Sequence, residues 1–309
     1  MTGFVRSVTA DLAPETLGCV DYHEHLFQVS PLLPGDDLDD EAASTEETRQ
    51  FAASGFDTLV DATPLGLGRR PAAARRIAEA TGVTVVLTTG LHRREHYREG
   101  HPLLTATAEE LAAAFTSDLE RGAAEPGEER DPTARAGVLK AGLGYWRLDA
   151  VARRAIEAIG GAHAATGAPV MVHLEHGTAA FEALDALAAV GVRADRVALA
   201  HIDRNPDPGL HADLAATGAF LGYDGPARAR EHPDSVVLGC LIATAAAGGA
   251  DRILLGGDVA RRTRYVAYGG MPGLRYLGDR FVPRLRREGG ADLADAVLRR
   301  NPAAWLTWR

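Results

Sequence analysis

Six side chains in this sequence are of types that bind metal ions or move protons, and each closes a short apolar run. His23 and His25 lie in the stretch 18–27, and Lys140 ends Ala136-Gly137-Val138-Leu139-Lys140. His173 follows Val170-Met171-Val172, His201 follows Val197-Ala198-Leu199-Ala200, and Asp258 follows the run 252–257. In an extended strand His23 and His25 project from one face, so two imidazoles can meet one ion. Lys140 is the only lysine among 33 Lys and Arg residues, in a chain that otherwise uses arginine wherever a positive charge serves. Arginine keeps its charge at any working pH, whereas a desolvated lysine amine can attack a carbonyl, act as a base, or take up carbon dioxide as a carbamate. A carbamate is a short carboxylate able to bridge two ions. Four imidazoles, a carboxylate and a carbamate suit two adjoining divalent ions of the Zn, Mn, Co or Fe class, zinc first, better than Ca or Mg. A hydroxide would be the second bridge, because two such ions lower the pKa of the water between them. One histidine at a strand end is ordinarily a satisfied core residue. Six polar groups buried together without a metal would be costly.

The elements that must position these groups alternate along the chain. Apolar runs at 57–61, 83–89, 136–140, 169–173, 197–201, 219–223 and 252–256 join the 18–27 stretch as predicted strands. Between and after them, helical patterns are predicted at 70–80, 106–121, 148–166, 178–190, 208–217, 235–248, 273–287 and 291–308. Eight strands alternating with helices predict an α/β fold, a closed (β/α)8 TIM barrel forming one domain over residues 1–309, with a short N-terminal β extension within 4–17. All six groups then fall at the C-terminal ends of barrel strands, the face where such barrels place their chemistry.

Composition narrows the partners. A net charge of −9 argues against nucleic acid. The chain shows neither a run of about 18 apolar residues nor an N-terminal signal pattern, so no membrane is expected. The two cysteines, Cys19 and Cys240, have no metal-site spacing and suit a reducing compartment. The expectation is a cytoplasmic enzyme with a small-molecule substrate. The chain contains no Gly-x-Ser-x-Gly elbow, P-loop or complete dinucleotide fingerprint. His23-Glu24-His25 is not a His-Glu-x-x-His helix either, since position 27 is Phe.

His23-Glu24-His25-Leu26, Lys140, Val172-His173, Ala200-His201 and Gly257-Asp258 together resemble the ligand series of the phosphotriesterase family within the amidohydrolase superfamily. The likeness runs over nearly the whole chain. It implies that His23, His25 and Asp258 hold the buried ion, that His173 and His201 hold the more exposed one, and that carboxylated Lys140 bridges both. Asp258 would also take a proton from the bridging hydroxide and pass it to the leaving group. Tyr268-Gly269-Gly270-Met271-Pro272-Gly273-Leu274 resembles the branch of the family that opens phosphorylated furanose lactones. By that likeness Arg228, Arg262 and Tyr265 would bind the substrate's anion, although an arginine stands in the strand-seven loop where that branch is expected to carry lysine. The expected activity is hydrolysis of a lactone, a sugar lactone first and a phosphorylated one among the candidates, by attack of the metal-bridging hydroxide on the carbonyl. A phosphotriester or carboxylic ester hydrolase with the same centre, and a catalytically silent barrel that binds sugar phosphates, are the alternatives. The family likeness also suggests a homodimer.

Other residues carry weaker expectations. His92, Glu175 and His176 are candidates to line the cavity, and Asp203 and Arg204 to support His201. His96, His101, His211 and His232 read as surface residues, and Trp305 and Trp308 as packing groups.

Overall fold

The computed structural model describes residues 3–309. A two-residue hairpin, β1 (Val5–Arg6) and β2 (Asp11–Leu12), precedes an eight-stranded parallel sheet. Its strands are β3 (Val20–Glu24), β4 (Thr58–Asp61), β5 (Thr84–Leu91), β6 (Ala136–Leu143), β7 (Val170–Leu174), β8 (Val197–Ala200), β9 (Phe220–Tyr223) and β10 (Ile253–Leu255), paired in sequence order. The ladder leaves β3 and β10 at its two ends. The Asp258 N–H donates to the His23 carbonyl at 2.9 Å across that seam, bringing the sheet close to a closed barrel.

Helices cover the outside, and their ends follow local signals. The helix Pro71–Thr81 begins with proline at its first position and stops at Gly82, which takes φ 74°. The helix Ala150–Thr166 is capped by Asp149, whose carboxylate accepts from Val151 and Ala152 N–H. The stretch Asp234–Arg252 is long and apolar enough to cross a membrane by composition, although it holds no uninterrupted run of about 18 apolar residues. In the fold it is an outer helix, with Val237, Leu238 and Leu241 buried against the barrel.

Two buried apolar clusters follow from strand alternation. Val20, Tyr22, Val60, Val86, Val138, Met171, Ala198, Phe220 and Leu254 fill the barrel interior with Trp305 and Leu306, while their strand neighbours pack against the helices. The C-terminal tryptophans close the bottom: Trp305 Nε1 donates to the Val170 carbonyl at 3.2 Å and Trp308 Nε1 to the Gly137 carbonyl at 2.9 Å. On β6 and β7 the next inward positions after Val138 and Met171 are Lys140 and His173. The alternation that buries the core therefore aims these two groups at the axis above it.

Candidate metal and substrate site

Strand β3 departs from simple alternation. Tyr22 belongs to the interior cluster, yet its neighbour His23 lines the cavity above. The pairing register with β4 shifts between Asp21 and Glu24, and such an irregularity re-aims side chains. His25 follows just past the strand. The Tyr22 ring fits only because Gly222 faces it: a Cβ there would come within 2.0 Å of the hydroxyl.

His23, His25, Lys140, His173, His201 and Asp258 all line one cavity of about 390 Å³, and all six are buried. The Nε2 atoms of His23 and His25 lie 3.7 and 3.5 Å from Asp258 Oδ1. His201 Nε2 faces His173 Nδ1 at 2.7 Å. Lys140 Nζ donates to the Ala62 carbonyl at 2.6 Å, and burial pushes its amine down to about 8. Burial pushes His201 down to about 3, with the charge of Arg204 adding to it. Burial would raise Asp258, but the charge of Arg228, helped by His23 and His25, holds it well below the usual carboxylate range. Arg228 grips the Asp258 carboxylate and its backbone carbonyl, and Arg204 Nη2 donates to Asp258 Oδ2 at 2.9 Å.

Asp224, immediately after β9, organises this arrangement and was assigned no role from sequence. It accepts from His201 Nδ1 at 2.6 Å and from the His201 N–H at 3.1 Å, lies 3.3 Å from His23 Nδ1, and accepts a hydrogen bond from the Tyr22 hydroxyl. The bond to His201 Nδ1 leaves that ring's Nε2 to face the cavity, the usual way a carboxylate fixes an imidazole tautomer, and the same carboxylate lies beside His23 Nδ1 without a formed hydrogen bond. The signal for it was present: a carboxylate ending a strand, as Asp258 does.

The donor set fits divalent cations. His23, His25 and Asp258 present ligand atoms close enough to share one ion, as do His23, His201 and Asp224. Beneath them Asp21, Glu24 and Asp61 are buried carboxyls raised by desolvation, and Asp21 Oδ2 and Glu24 Oε1 have no hydrogen-bond partner. Such a floor gains from positive charge above it.

The outer wall differs from expectation. Of the three residues expected to bind an anion, only Arg228 lines the cavity. Arg262 turns to the outside, where it lies 3.4 Å from Asp39 and stacks over Tyr268 at 5.1 Å; its neighbour Arg261 lines the cavity instead. Tyr265 is fully buried, and its hydroxyl donates to the His25 carbonyl. It braces the segment that carries His25 rather than facing the cavity. His92, Glu175, His176 and Arg204 all reach the cavity, while Asp203 lies behind it and accepts from Gly225 N–H at 2.7 Å.

Two histidines expected at the surface are buried. His96 lines the cavity with its ring 3.9 Å from that of His92, and Ser30 Oγ lies 3.1 Å from its Nδ1; burial pushes it down to about 3. His211 packs behind β9, with Nδ1 at 2.6 Å from the Tyr223 hydroxyl and Nε2 donating to the carbonyls of Ile202 and Asn205 at 3.0 Å each. It ties down the loop that carries Arg204. His96 lies in a loop without hydrophobic periodicity; His211 lies on the predicted helix 208–217 and faces inward.

Residues 4–306 match the model of the phosphotriesterase family. The chain is 30% identical to a phospho-furanose lactonase of Mycoplasmopsis synoviae, over 99% of this chain and 92% of that protein. Among solved structures, a lactonase from Listeria monocytogenes superposes with a TM-score of 0.92 at 31% identity, covering 99% of each chain. The phosphotriesterase homology protein of Escherichia coli, solved with phosphate in its active site, superposes with a TM-score of 0.85 at 27% identity over 94% of this chain and 99% of its own.

Proposed function

The chain belongs to the phosphotriesterase family and is a hydrolase of the lactonase or esterase type; we propose that it opens a sugar lactone carrying a phosphate. The observation that carries this reading is the convergence of four imidazoles, Lys140 and Asp258 on one cavity whose wall also holds Arg93, Arg204, Arg228 and Arg261. Its relatives named as lactonases support the same reaction.

In this reading His23, His25 and Asp258 would hold one divalent cation, zinc first, and His173 and His201 a second, with carboxylated Lys140 as a ligand to both. Bound there, the cations would polarise the carbonyl and make water a better nucleophile at neutral pH. Lys140 is the residue suited to carbamate formation, since burial leaves part of its amine uncharged. Asp224 keeps the ring of His201 presenting Nε2 to the cavity and sets a negative charge beside His23. Asp258 takes the proton as water adds to the carbonyl carbon. When the ring carbon–oxygen bond breaks, it returns that proton to the departing alkoxide. The product is a hydroxy acid, which ionises and releases one proton.

Arg228 and Arg261 are the groups placed to receive a phosphate. The test is proton release by metal-reconstituted enzyme on pentono- and hexono-lactones with and without a terminal phosphate, beside an aryl phosphotriester. Preference for the phosphorylated lactone is the expected result. Preference for the neutral lactone would discard the phosphate, and turnover of the triester alone would discard the lactone.

A further inference from the structure

A second, larger cleft of about 890 Å³ opens from the cavity just described, and ring opening makes no use of it. Arg93, Glu175, His176 and Arg204 belong to both walls. The far side is the turn Gly144–Arg147, immediately after β6. This turn holds Tyr145 and Trp146 out in water, each 63% exposed. The other two of the chain's three tryptophans, Trp305 and Trp308, are buried.

The turn is built rather than slack. Arg147 N–H donates to the Gly144 carbonyl at 3.1 Å, Trp146 N–H to Thr178 Oγ1 at 3.0 Å, and the Thr178 hydroxyl to the Glu175 carbonyl at 2.7 Å. Trp146 takes φ 46° and His176, across the cleft, φ 54°. Both lie in the left-handed region, where a side chain is strained and which collects at functional sites. Two neighbouring aromatic faces left in water are a further cost, of the kind that marks a binding surface. The Tyr145 ring stands edge-on to His176 at 6.0 Å.

Charge sets the class of ligand. Arg93 is engaged by Glu175 at 2.7 Å and Arg204 by Asp258 at 2.9 Å. Arg147 and Glu95 make no ion pair among the described residues, and of the two it is Arg147 that adjoins Trp146 in the turn. A guanidinium next to an open aromatic face suits a flat ring that carries a negative charge.

We propose that this cleft is a second-ring subsite: a ring, aromatic or pyranose, stacks on Trp146 while an anionic group on it meets Arg147. The substrate of the inner cavity therefore extends beyond a single lactone ring, an inference that rests on that cavity being the reacting site. The test uses metal-reconstituted enzyme and calorimetric affinities for phenyl phosphate, a hexopyranose 6-phosphate and inorganic phosphate. Either ring phosphate should bind roughly tenfold more tightly than inorganic phosphate, on the scale of a good stacking contact. Trp146→Gly, which suits φ 46°, should cut that ratio roughly three- to tenfold, while Trp146→Phe should keep it. Arg147→Gln should weaken the ring phosphates more than inorganic phosphate.

Trp146 is also its own reporter. As the exposed tryptophan it should be quenched by iodide in the free enzyme and shielded by a ring phosphate. A ratio near one in the wild type, a ratio that survives Trp146→Gly, or an unshielded Trp146 overturns the subsite. The probe with the larger ratio identifies the ring as aromatic or sugar. Ring-dependent binding without lactone turnover would keep the subsite and refute the lactonase reading, whereas lactone turnover without ring-dependent binding would do the reverse.

Discussion

At the floor of the cavity His23, Lys140 and His173 project from barrel strands, and His201 and Asp258 from the residues just beyond them; at the rim Arg228, Arg261 and Arg262 hang from loops. The floor groups are buried, and most are held by a backbone group or a carboxylate, as Lys140 is by Ala62 and His201 by Asp224. The rim groups find whatever acid lies nearby: Asp258 for Arg228, Asp36 for Arg261, Asp39 for Arg262. Neighbouring arginines 261 and 262 end up on opposite sides of the wall. A strand fixes a side chain's direction to within its alternation, whereas a short loop helix such as Arg262–Arg264 turns one residue inward and the next away.

If that contrast is real, damage to the floor should dwarf damage to the rim. Lys140→Arg keeps a positive charge but cannot become a carbamate. It should lose bound metal and lower turnover roughly 10³-fold or more, measured by elemental analysis alongside proton release; a fully metallated, active variant would sink Lys140 as the bridge. Asp224→Asn comes next. It replaces the carboxylate that accepts from His201 and lies beside His23 with a neutral amide, and metal affinity should fall about 10- to 100-fold. An unchanged metal titration would mean that the rings hold their orientation without it.

The same contrast explains what could be read in advance. The eight strands and the six ligand candidates were legible because each strand combines an apolar run with a polar terminus, and Lys140 stands out as the only lysine. Asp224 follows the same rule at the end of its strand, next to a loop whose arginines are the stronger sequence signal. His96 and Arg261 were not legible. His96 reaches the cavity through a short 3₁₀ turn and the stack on His92, and Arg261 by the path of its loop, neither of which has a period to detect. Nor does adjacency to a glycine-rich run place a hydroxyl: Tyr265 folds back under His25 because its hydroxyl finds a buried carbonyl there.

The rim can be sharpened by setting its two neighbouring arginines against each other. Arg261→Gln should raise KM for a phosphorylated lactone roughly three- to tenfold, with less effect on a neutral one, since a partly exposed guanidinium contributes a modest charge-assisted contact. Arg262→Gln, whose partners are Asp39 and Tyr268, should change KM much less. Equal effects would place both arginines on the substrate and erase the division between inward and outward positions.

Tyr265→Phe carries the smallest effect and divides two roles for one hydroxyl. As an anion ligand, the hydroxyl would be missed in KM, and more for a phosphorylated lactone than for its neutral twin. As a brace on the His25 carbonyl, its loss leaves a buried acceptor unsatisfied and should cost about 1 kcal/mol of stability. For a domain of this size that is a fall of about 2 °C in Tm. The ring stays buried either way, so packing is nearly constant between the two proteins. A lowered Tm with matched KM values for both lactones would assign Tyr265 to the frame that holds His25; an unchanged Tm with a phosphate-selective rise in KM would return it to the rim.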